Sequence, residues 1–360
     1  MMLGNVARFI NHTRPNLDLT GSRQSSAIAT LTPPSTIWQT SQDTHSLFHT
    51  HEDTNYINEI ALTRQMTKKI LVTSALPYVN NIPHLGTLVC IINADIYTRF
   101  LRSKRYNVLS VLGTDEHGST TEIKAIQEGK TPQEITDHYF EKHKEIYAWF
   151  NTSFDCFGRT SSPNNHAMTQ DIFDDLDAQG FITSHASVQL YDEQAKRFLP
   201  DRFVEGTCPK CDYASARGDQ CDKCGSLLEP TDLIHPKSTI SQTTPVQRHS
   251  THLYIDLPKL QPKIQAYVDE HKAFWTQNAR ATTEQWLKGG LKERCITRDL
   301  VWGVPVLKEG YTDKVFYSWF DAPIGYIGIT SETREDWKEW WQNKDVQLVQ
   351  FMGKDNIPFH

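Results

Sequence analysis

From residue 68 to residue 180, apolar and polar positions switch repeatedly between the period of a strand and that of a helix. Ile70–Thr73 is a run of aliphatic and β-branched residues, which is typical of a buried central strand. The whole pattern predicts strands at 70–73 and 108–112 and helices at about 85–104, 119–129, 132–149 and 164–179. Such alternation predicts an α/β fold with a parallel sheet and right-handed crossovers. Ligands in such sheets lie at the carboxyl ends of the strands.

Residues 181–297 interrupt this alternation, and strand-like sequence returns after them. The patterns predict a hairpin arm at Phe198–Val204, helices at about 256–271 and 279–288, and strands at Lys314–Phe320 and Val346–Met352. We therefore expect one sheet in two parts, formed by residues 66–180 and 298–360. Residues 181–297 would then be an insertion between the two halves.

Residues 1–65 differ in composition from the rest of the chain. Up to Gln42 they contain three arginines, one acidic residue, no lysine and many serines and threonines. An arginine-bearing, acid-poor, serine-rich start is typical of an organellar transit peptide. A disordered extension is the alternative, as is upstream sequence joined to a chain that starts at Met66. We leave this segment out of the fold prediction.

The remaining composition is that of an ordinary globular protein. Residues of the apolar class make up 38% of the chain and charged residues 22%, and the formal net charge is −6. A net negative charge argues against general electrostatic capture of nucleic acid. No run approaches the roughly 18 apolar residues that a membrane-spanning helix needs.

Four of the seven cysteines form two C-x-x-C pairs separated by nine residues. They are Cys208, Cys211, Cys221 and Cys224. Each pair can bring two thiolates from one tight turn to the same ion, and two pairs complete a tetrahedron, which predicts one zinc ion. Four thiolates leave no open coordination position, so the expected role is structural. Disulfides, a redox pair or a nucleic-acid-binding zinc ribbon are the alternatives.

Polar clusters follow the predicted strands. The segment Ile70–Gly86 combines a strand, a sharp loop with His84, and a helix start, where free backbone N–H groups favour phosphate. Asp115 and His117 follow the second strand. Trp319, Ala322, Pro323 and Tyr326 offer aromatic and apolar walls for an unbranched side chain, and Asp355 could hold ribose hydroxyls. Each cluster taken alone could also be a solvated turn or ordinary core packing.

Six stretches together identify a resemblance. They are TSALPYVNNIPHLG, GTDEHG, FLPDRFVEGTCPKC with CDKCG, ITRDLVWGVPV, VFYSWFDAPIGY and GKDNIPFH. P-H-L-G within the first resembles the HIGH motif of class I aminoacyl-tRNA synthetases. In this order and spacing, residues 68–360 resemble the methionyl-tRNA synthetase family of the type found in the eukaryotic cytosol and some bacteria. The resemblance implies a Rossmann-like, doubly wound sheet split by a zinc-binding connective insertion.

The resemblance also implies roles for individual residues. The methionine side chain would be lined by Leu76, Tyr78, Trp319, Ala322, Pro323, Tyr326, Ile357 and His360, and Asp115 would bind its ammonium group. ATP would contact His84 and Gly86, with Lys354 and Asp355 near the nucleotide. Thr87 and Arg298 would lie at the catalytic centre with His84 and Gly86. The four cysteines would bind the zinc.

Two departures from the family pattern affect these expectations. Thr87 replaces the second histidine of HIGH, so a hydroxyl would donate to phosphate where the family uses an imidazole. No K-M-S-K-S stretch occurs, and the family's anticodon-binding domain would lie downstream of His360. We therefore expect a fragment with impaired activity. Lys237–Pro245 has no second C-x-x-C pair, so one zinc rather than two is expected.

The implied function is that of a methionine–tRNA ligase. Methionine would attack the α-phosphate of ATP, accompanied by magnesium, to form methionyl-adenylate, and tRNA(Met) would then receive the methionyl group. The chemistry rests on positioning and charge stabilisation. The expected location is the cytoplasm, or mitochondria if residues 1–65 are a transit peptide. The alternatives are a zinc-containing nucleic-acid-binding module without catalysis and another HxGH nucleotidyltransferase.

Overall fold

The computed structural model describes residues 27–29, 68–219, 221–226 and 228–360. The strands are β1 Ala27–Ala29, β2 Lys69–Ser74, β3 Asn107–Thr114, β4 Cys156–Arg159, β5 Ile182–Asp192, β6 Arg197–Phe198, β7 Val204–Thr207, β8 Ala216–Arg217, β9 Ile234–Ser238, β10 Val246–Ile255, β11 Arg294–Cys295, β12 Thr297–Arg298, β13 Val315–Phe316 and β14 Gln347–Phe351. The helices are α1 Leu85–Ser103, α2 Ser119–Glu128, α3 Pro132–Trp149, α4 Pro163–Ala178, α5 Leu257–His271, α6 Gln277–Lys288, α7 Ser318–Thr333 and α8 Trp337–Trp341. Short 3-10 helices span Asp201–Phe203, Pro230–Asp232, Lys272–Phe274 and Lys354–Phe359.

A five-stranded parallel sheet has the order β1-β14-β2-β3-β4. Residues 70–74 of β2 are buried, as expected for a central strand covered on both faces. Chain order runs outward from β2 to β3 and β4 on one side, and β14 joins β2 on the other. The order therefore reverses between β2 and β14, which opens a crevice at their carboxyl ends. The predicted α/β parallel sheet is confirmed.

The helix boundaries in the first half follow local capping chemistry. The Thr131 side chain accepts from the backbone N–H of Glu134, and Pro132 occupies the first turn of α3. Ser162 caps α4 in the same way, ahead of Pro163. These signals explain why the predicted helices agree with the structure to within one or two residues. None of the helices in the described part of the chain is long and apolar enough to cross a membrane.

The described residues between 181 and 297 contribute no strand to the parallel sheet. β5 and β10 pair antiparallel from Ile182 with Ile255 to Tyr191 with Val246, and β11 and β6 flank them. The four cysteines lie in a separate three-stranded sheet, β8-β7-β9, and its connections. The single hairpin arm predicted at Phe198–Val204 is wrong. Asp201 adopts a φ of 50° within a 3-10 turn, and the chain there passes from one sheet to the other.

The strand predicted at Lys314–Phe320 is also wrong beyond its first residues. Only Val315–Phe316 is extended, and α7 begins at Ser318. Phe320, Ile324 and Ile327 are all buried, so α7 is surrounded by protein and has no polar stripe. It packs close to the sheet, where a Cβ on Gly113 would lie 2.3 Å from the Ile329 side chain. Except for β1, the extension predicted over residues 1–65 lies outside the described residues.

Candidate functional site

The loops that follow β2 and β3 are joined by backbone contacts. The N–H of Asp115 donates to the carbonyl of Pro77 at 2.8 Å, and Tyr78 forms an isolated parallel bridge with Asp115. The Tyr78 side chain is 45% exposed, whereas Asp115 is only 5% exposed. The two chain segments thus form an open mouth with an acid at its base. We call Leu76, Tyr78, Asp115 and Tyr326 the strand-tip site.

Asp115 is a buried acid without a counter-charge. Within the described residues, its Oδ1 atom has no hydrogen-bond partner. Burial raises the pKa of Asp115 well above its ordinary value, and the nearby charges of Asp321 and Glu116 raise it further. A buried carboxylate in this state gains strongly from a ligand that brings a positive charge.

A second buried acid, Asp321 on α7, pairs with a histidine. Its Oδ2 atom lies 2.8 Å from Nδ1 of His117, and both side chains are at most 1% exposed. Nε2 of His117 lies 3.4 Å from Nε2 of the half-buried His166 on α4. Burial lowers the pKa of His117 to about 4 and raises the pKa of Asp321 well above its ordinary value. Asp321 and His166 were missed as candidate site residues, and His117 was only noted in its motif.

The acid next to Asp115 has the opposite environment. Glu116 accepts from Nε of Arg159 at 2.8 Å and from the hydroxyl of Thr114 at 2.9 Å. Its backbone N–H donates to the Thr160 hydroxyl at 2.9 Å, and its carbonyl accepts from the Trp302 indole at 2.7 Å. These contacts fix the loop after β3 between two neighbouring elements. Glu116 therefore positions Asp115 and is itself fully paired.

An apolar wall forms where α7 meets the end of the chain. The Tyr326 hydroxyl lies 2.8 Å from Nε2 of His360, whose Nδ1 lies 3.0 Å from the carbonyl of Asn356. A Cβ on Gly325 would lie 3.1 Å from Leu76, so Leu76 packs directly on α7. Pro323 and Ile357 are buried and Ala322 is half-buried. The predicted residues Leu76, Tyr326 and His360 are therefore in one neighbourhood.

Trp319 lies in a stack of rings and guanidinium groups beside this wall. Its ring centroid is 3.9 Å from that of Phe359 and 5.3 Å from that of Tyr317. Arg294 lies over Trp319 and Phe359, 4.4 Å from each ring. Burial lowers the pKa of Arg294 to about 10. A cavity opens here, lined by Arg294, Cys295, Ile296, Tyr317, Trp319 and Phe359 among others.

Arg298, which was expected at the catalytic centre, reaches the same stack from β12. Its guanidinium lies 3.7 Å from the Tyr317 ring and pairs with Asp201 at 3.2 Å. Arg294, Tyr317 and Phe359 are therefore additional candidates that sequence reasoning missed. Tyr317 and Phe359 lie within motifs already noted, and Arg294 lies two residues before a third, so aromatic and arginine residues in or beside the motifs are the signal that could have found them.

The predicted nucleotide residues surround the start of α1 and the end of β14. His84 is the N-cap of α1, and its Nδ1 accepts from the backbone N–H of Thr87 at 3.3 Å. A Cβ on Gly86 would lie 3.0 Å from the His84 ring, so a larger residue there would require the ring to shift. Lys354 and Asp355 are exposed in the 3-10 helix after β14. The helix start supplies the free N–H groups that phosphate favours.

The four cysteines form a cluster that could hold a metal ion, with all four sulfurs within 4.8 Å of one another. Sγ of Cys208 is 3.9 Å from Sγ of Cys224, and Sγ of Cys211 is 3.7 Å from Sγ of Cys221. Four thiolates around a zinc ion at about 2.3 Å would be separated by about 3.8 Å. Gly225 closes the second turn at a φ of 69°. The donor set and its spacing therefore fit the predicted zinc site.

Comparison with known proteins gives a consistent result. The family model described as "tRNA synthetases class I (M)" matches residues 70–360. The chain is 53% identical over 308 residues to the "Probable methionine--tRNA ligase, cytoplasmic" of Dictyostelium discoideum, covering 84% of this chain and 42% of that protein. It is 54% identical over 300 residues to the "Methionine--tRNA ligase" of Treponema denticola, covering 81% of this chain and 38% of that protein. The chain thus spans about two-fifths of the length of these relatives.

A solved structure shares the fold. It is the Mycobacterium tuberculosis methionyl-tRNA synthetase in complex with methionyl-adenylate, with a TM-score of 0.60 and 24% sequence identity. The match covers 82% of this chain and 53% of that chain. The Rossmann-type parallel sheet described above is therefore a known architecture.

Proposed function

The chain belongs to the methionyl family of class I tRNA synthetases, and from this membership we propose that the strand-tip site binds methionine and converts it with ATP into methionyl-adenylate. Asp115 is the single observation that carries the proposal. It is a buried acid at a strand end, with an oxygen that has no partner among the described residues. An amino-acid ammonium group would supply the missing positive charge and hydrogen bond.

The methionine side chain would lie against the apolar wall. The proposed lining is Leu76, Tyr78, Trp319, Ala322, Pro323, Tyr326, Ile357 and His360. Burial lowers the pKa of His360 to about 3, so the imidazole is neutral at pH 7 and the wall carries no charge. Aromatic rings contact a thioether sulfur favourably, by roughly 0.3–1.5 kcal/mol. A pocket of this kind separates side chains that differ by one methylene by only about 1–3 kcal/mol, so close analogues should compete.

The nucleotide would lie across the crevice between β2 and β14. The start of α1, with His84, Gly86 and Thr87, would receive the phosphates, and Lys354 and Asp355 would contact the nucleotide from the neighbouring strand. Magnesium would accompany ATP. In the reaction the methionine carboxylate attacks the α-phosphate, and the residues align the two substrates and stabilise negative charge. Arg298 is close enough to the Trp319 stack to act near the carboxylate end of the site.

We further propose that the cysteine cluster binds one zinc ion with a structural role. Two ion pairs near the sheet β8-β7-β9 support this role. Arg202 pairs with Asp219 at 2.8 Å, and the neighbouring Asp201 pairs with Arg298, which contacts the ring stack around Trp319. The insertion would thus brace the stack that borders the methionine pocket. The proposed division is 66–180 and 298–360 for the catalytic domain and 181–297 for the insertion.

The wider role would be charging of tRNA(Met) in translation, as a methionine–tRNA ligase. A cytoplasmic location is the further proposal, and it is supported by relatives such as the Dictyostelium protein that are named cytoplasmic. Neither a membrane nor a protein partner forms part of the proposal.

Methionine-dependent exchange of pyrophosphate into ATP tests the activity directly. Exchange that requires a different acid or nucleotide would indicate another nucleotidyltransferase. RNA binding without methionine binding would favour the nucleic-acid module.

Trp319→Ala tests the proposed pocket by calorimetry. We expect it to abolish measurable methionine binding, because Trp319 forms one face of the pocket and holds Phe359 in place. The matched control is Trp149→Ala, since Trp149 is 79% exposed and far along the chain from the site. Unchanged methionine affinity in Trp319→Ala would remove that residue from the pocket.

A further inference from the structure

Two acids at the base of the strand-tip site are buried together without a cation. Asp115 is 5% and Asp321 is 0% exposed, and Oδ1 of each has no hydrogen-bond partner within the described residues. Asp115 is two residues from His117, whose Nδ1 atom lies 2.8 Å from Oδ2 of Asp321, and the charge of Asp321 raises the pKa of Asp115. Two neighbouring carboxylates in a region of low dielectric do not both ionise, since each disfavours the charged form of the other.

The groups around Asp115 and Asp321 supply no positive charge to balance the two acids. They are Tyr78 from the loop after β2, Glu116 and His117 from the loop after β3, His166 from α4, and Tyr326 from α7. The pKa values of both histidines are lowered to about 4, so neither carries a charge at pH 7. Arg159, which binds the neighbouring acid Glu116, is also paired with Asp137.

We propose that the Asp115–Asp321 pair holds one proton while the site is empty and releases it to solvent when an amino-acid ammonium group binds. The inference rests on the proposed function, because it takes an amino acid as the ligand. In the empty site one acid is a carboxylic acid and the other a carboxylate. In the occupied site both are carboxylates facing one ammonium, and the displaced proton leaves. Asp321 is in this sense a positioning residue that sets the charge seen by Asp115.

A line of hydrogen-bonding groups connects the pair to the surface. Oδ2 of Asp321 lies 2.8 Å from Nδ1 of His117, and Nε2 of His117 lies 3.4 Å from Nε2 of His166. His166 is half-buried and reaches solvent at the start of α4. An imidazole can accept a proton at one nitrogen and give one up at the other, so neutral His117 can pass the proton outward without keeping a charge.

Calorimetry in buffers of different ionisation enthalpy measures the proton directly. Methionine is titrated into the 360-residue chain at pH 7 in phosphate and in Tris, and the difference in heat gives the number of protons released. We expect close to one proton for the wild-type chain. Methionine binding with fewer than about 0.2 protons released would overturn the inference and leave the proposed function standing. Failure to bind methionine at all would instead overturn the proposed function.

Asp321→Asn is the informative variant. The amide can still bond His117 but has no titratable proton, so methionine should bind more weakly and the methionine that binds should release close to no proton. Release of one proton by Asp321→Asn would contradict the inference. Asp269→Asn is the matched control, because Asp269 is an exposed acid on α5 paired with Lys272. If Asp321→Asn does not fold, the wild-type measurement in two buffers still decides the question.

Two ligand analogues separate the ammonium from the rest of methionine. Methioninol keeps the ammonium and lacks the carboxylate, so it should release the same single proton. 4-Methylthiobutanoate lacks the ammonium and should bind without releasing a proton. Equal release by both compounds would show that the ammonium does not drive the exchange and would overturn the inference.

Discussion

Two buried pairs of aspartate and histidine in this protein have almost the same geometry and opposite surroundings. Asp321 lies 2.8 Å from His117 at the strand-tip site. Asp299 lies 3.0 Å from His252, where β10 meets β12, and is 9% exposed. The second pair has a lysine: Nζ of Lys314 lies 2.5 Å from Asp299 and 3.0 Å from the hydroxyl of Ser250. The first pair has no lysine or arginine partner among the described residues.

The lysine beside Asp299 reverses the direction of the pKa shift. Burial alone would raise the pKa of Asp299, but the contacts with His252 and Lys314 outweigh it and lower the pKa to about 2. Burial raises the pKa of Asp321, and no neighbouring cation opposes it. Residue type and burial therefore do not distinguish a compensated acid from an uncompensated one. The presence of a built-in positive charge does.

The largest expected effect is on stability at the paired site. Asp299→Asn removes the closer of the two carboxylates around buried Lys314 and leaves only the exposed Asp313 at 3.7 Å, so we expect a loss of about 3 kcal/mol in the free energy of unfolding. Guanidinium denaturation measures it. Replacing both residues by apolar ones, Asp299→Leu with Lys314→Met, should cost less than the single change, because no charge is then left buried. If Asp299→Asn lowered the free energy of unfolding by less than about 1 kcal/mol, the lysine would not make the Asp299–His252 pair energetically different from the Asp321–His117 pair.

The same substitution at the strand-tip site should act in the opposite direction on the empty protein. Asp115→Asn removes an unpaired buried charge, so the melting temperature without ligand should rise. Methionine affinity should fall by roughly 100-fold or more, about 3 kcal/mol, because the ammonium loses its counter-charge. Calorimetry and thermal melts measure the two effects, with Asp269→Asn as the control. A lower melting temperature would show that Asp115 is structural, as Asp299 is.

The smallest expected effect is the pH dependence of the free energy of unfolding. Its sign should be opposite for Asp299 and Asp115. The folded-state pKa of Asp299 is about 2, below the ordinary 3.8, so its contribution is present above about pH 4 and is lost as the pH falls toward 2. The folded-state pKa of Asp115 is raised, so the empty protein loses stability as the pH rises from about 4 through that value.

The contribution of Asp299 amounts to about 2–3 kcal/mol in the free energy of unfolding, and each pH dependence should disappear in the corresponding asparagine variant. Denaturation at a series of pH values from 2 to 7, without ligand, measures both slopes. Parallel pH profiles for the wild type and Asp115→Asn would contradict the assignment of a raised pKa to that acid.

Local signals made much of this arrangement predictable. The C-x-x-C spacing specifies its own geometry, and the sulfurs of Cys208 and Cys211 lie where a tetrahedral site needs them. Capping residues such as Thr131 and Ser162 fix helix starts within one turn, so the predicted boundaries agree with the structure. The place of Asp115 at the edge of the sheet was predictable because it directly follows a buried strand, whereas its role in binding was implied by the family resemblance and stays a prediction.

What the sequence did not reveal depends on distant contacts. His117 and Asp321 are far apart in the chain, and nothing near either residue shows that the other is its partner. The start of α7, Ser318–Phe320, was assigned to a strand because the helix is buried on most sides, which removes the polar positions that reveal a helical period. β5 and β10 were missed because most of their positions are exposed or half-buried, so their sequences show little of the apolar alternation that predicts a strand.

The order of the parallel sheet has a consequence for biosynthesis. β2 is completed early, yet one of its two neighbours, β14, pairs Gln347 with Ile70 and is made only after the whole insertion. At about 5–20 residues per second, a ribosome needs roughly 15–55 s to add the intervening chain. During that interval one edge of a strongly apolar strand has no neighbour from the catalytic half. A nascent chain of this kind is expected to depend on chaperone protection until translation reaches residue 351.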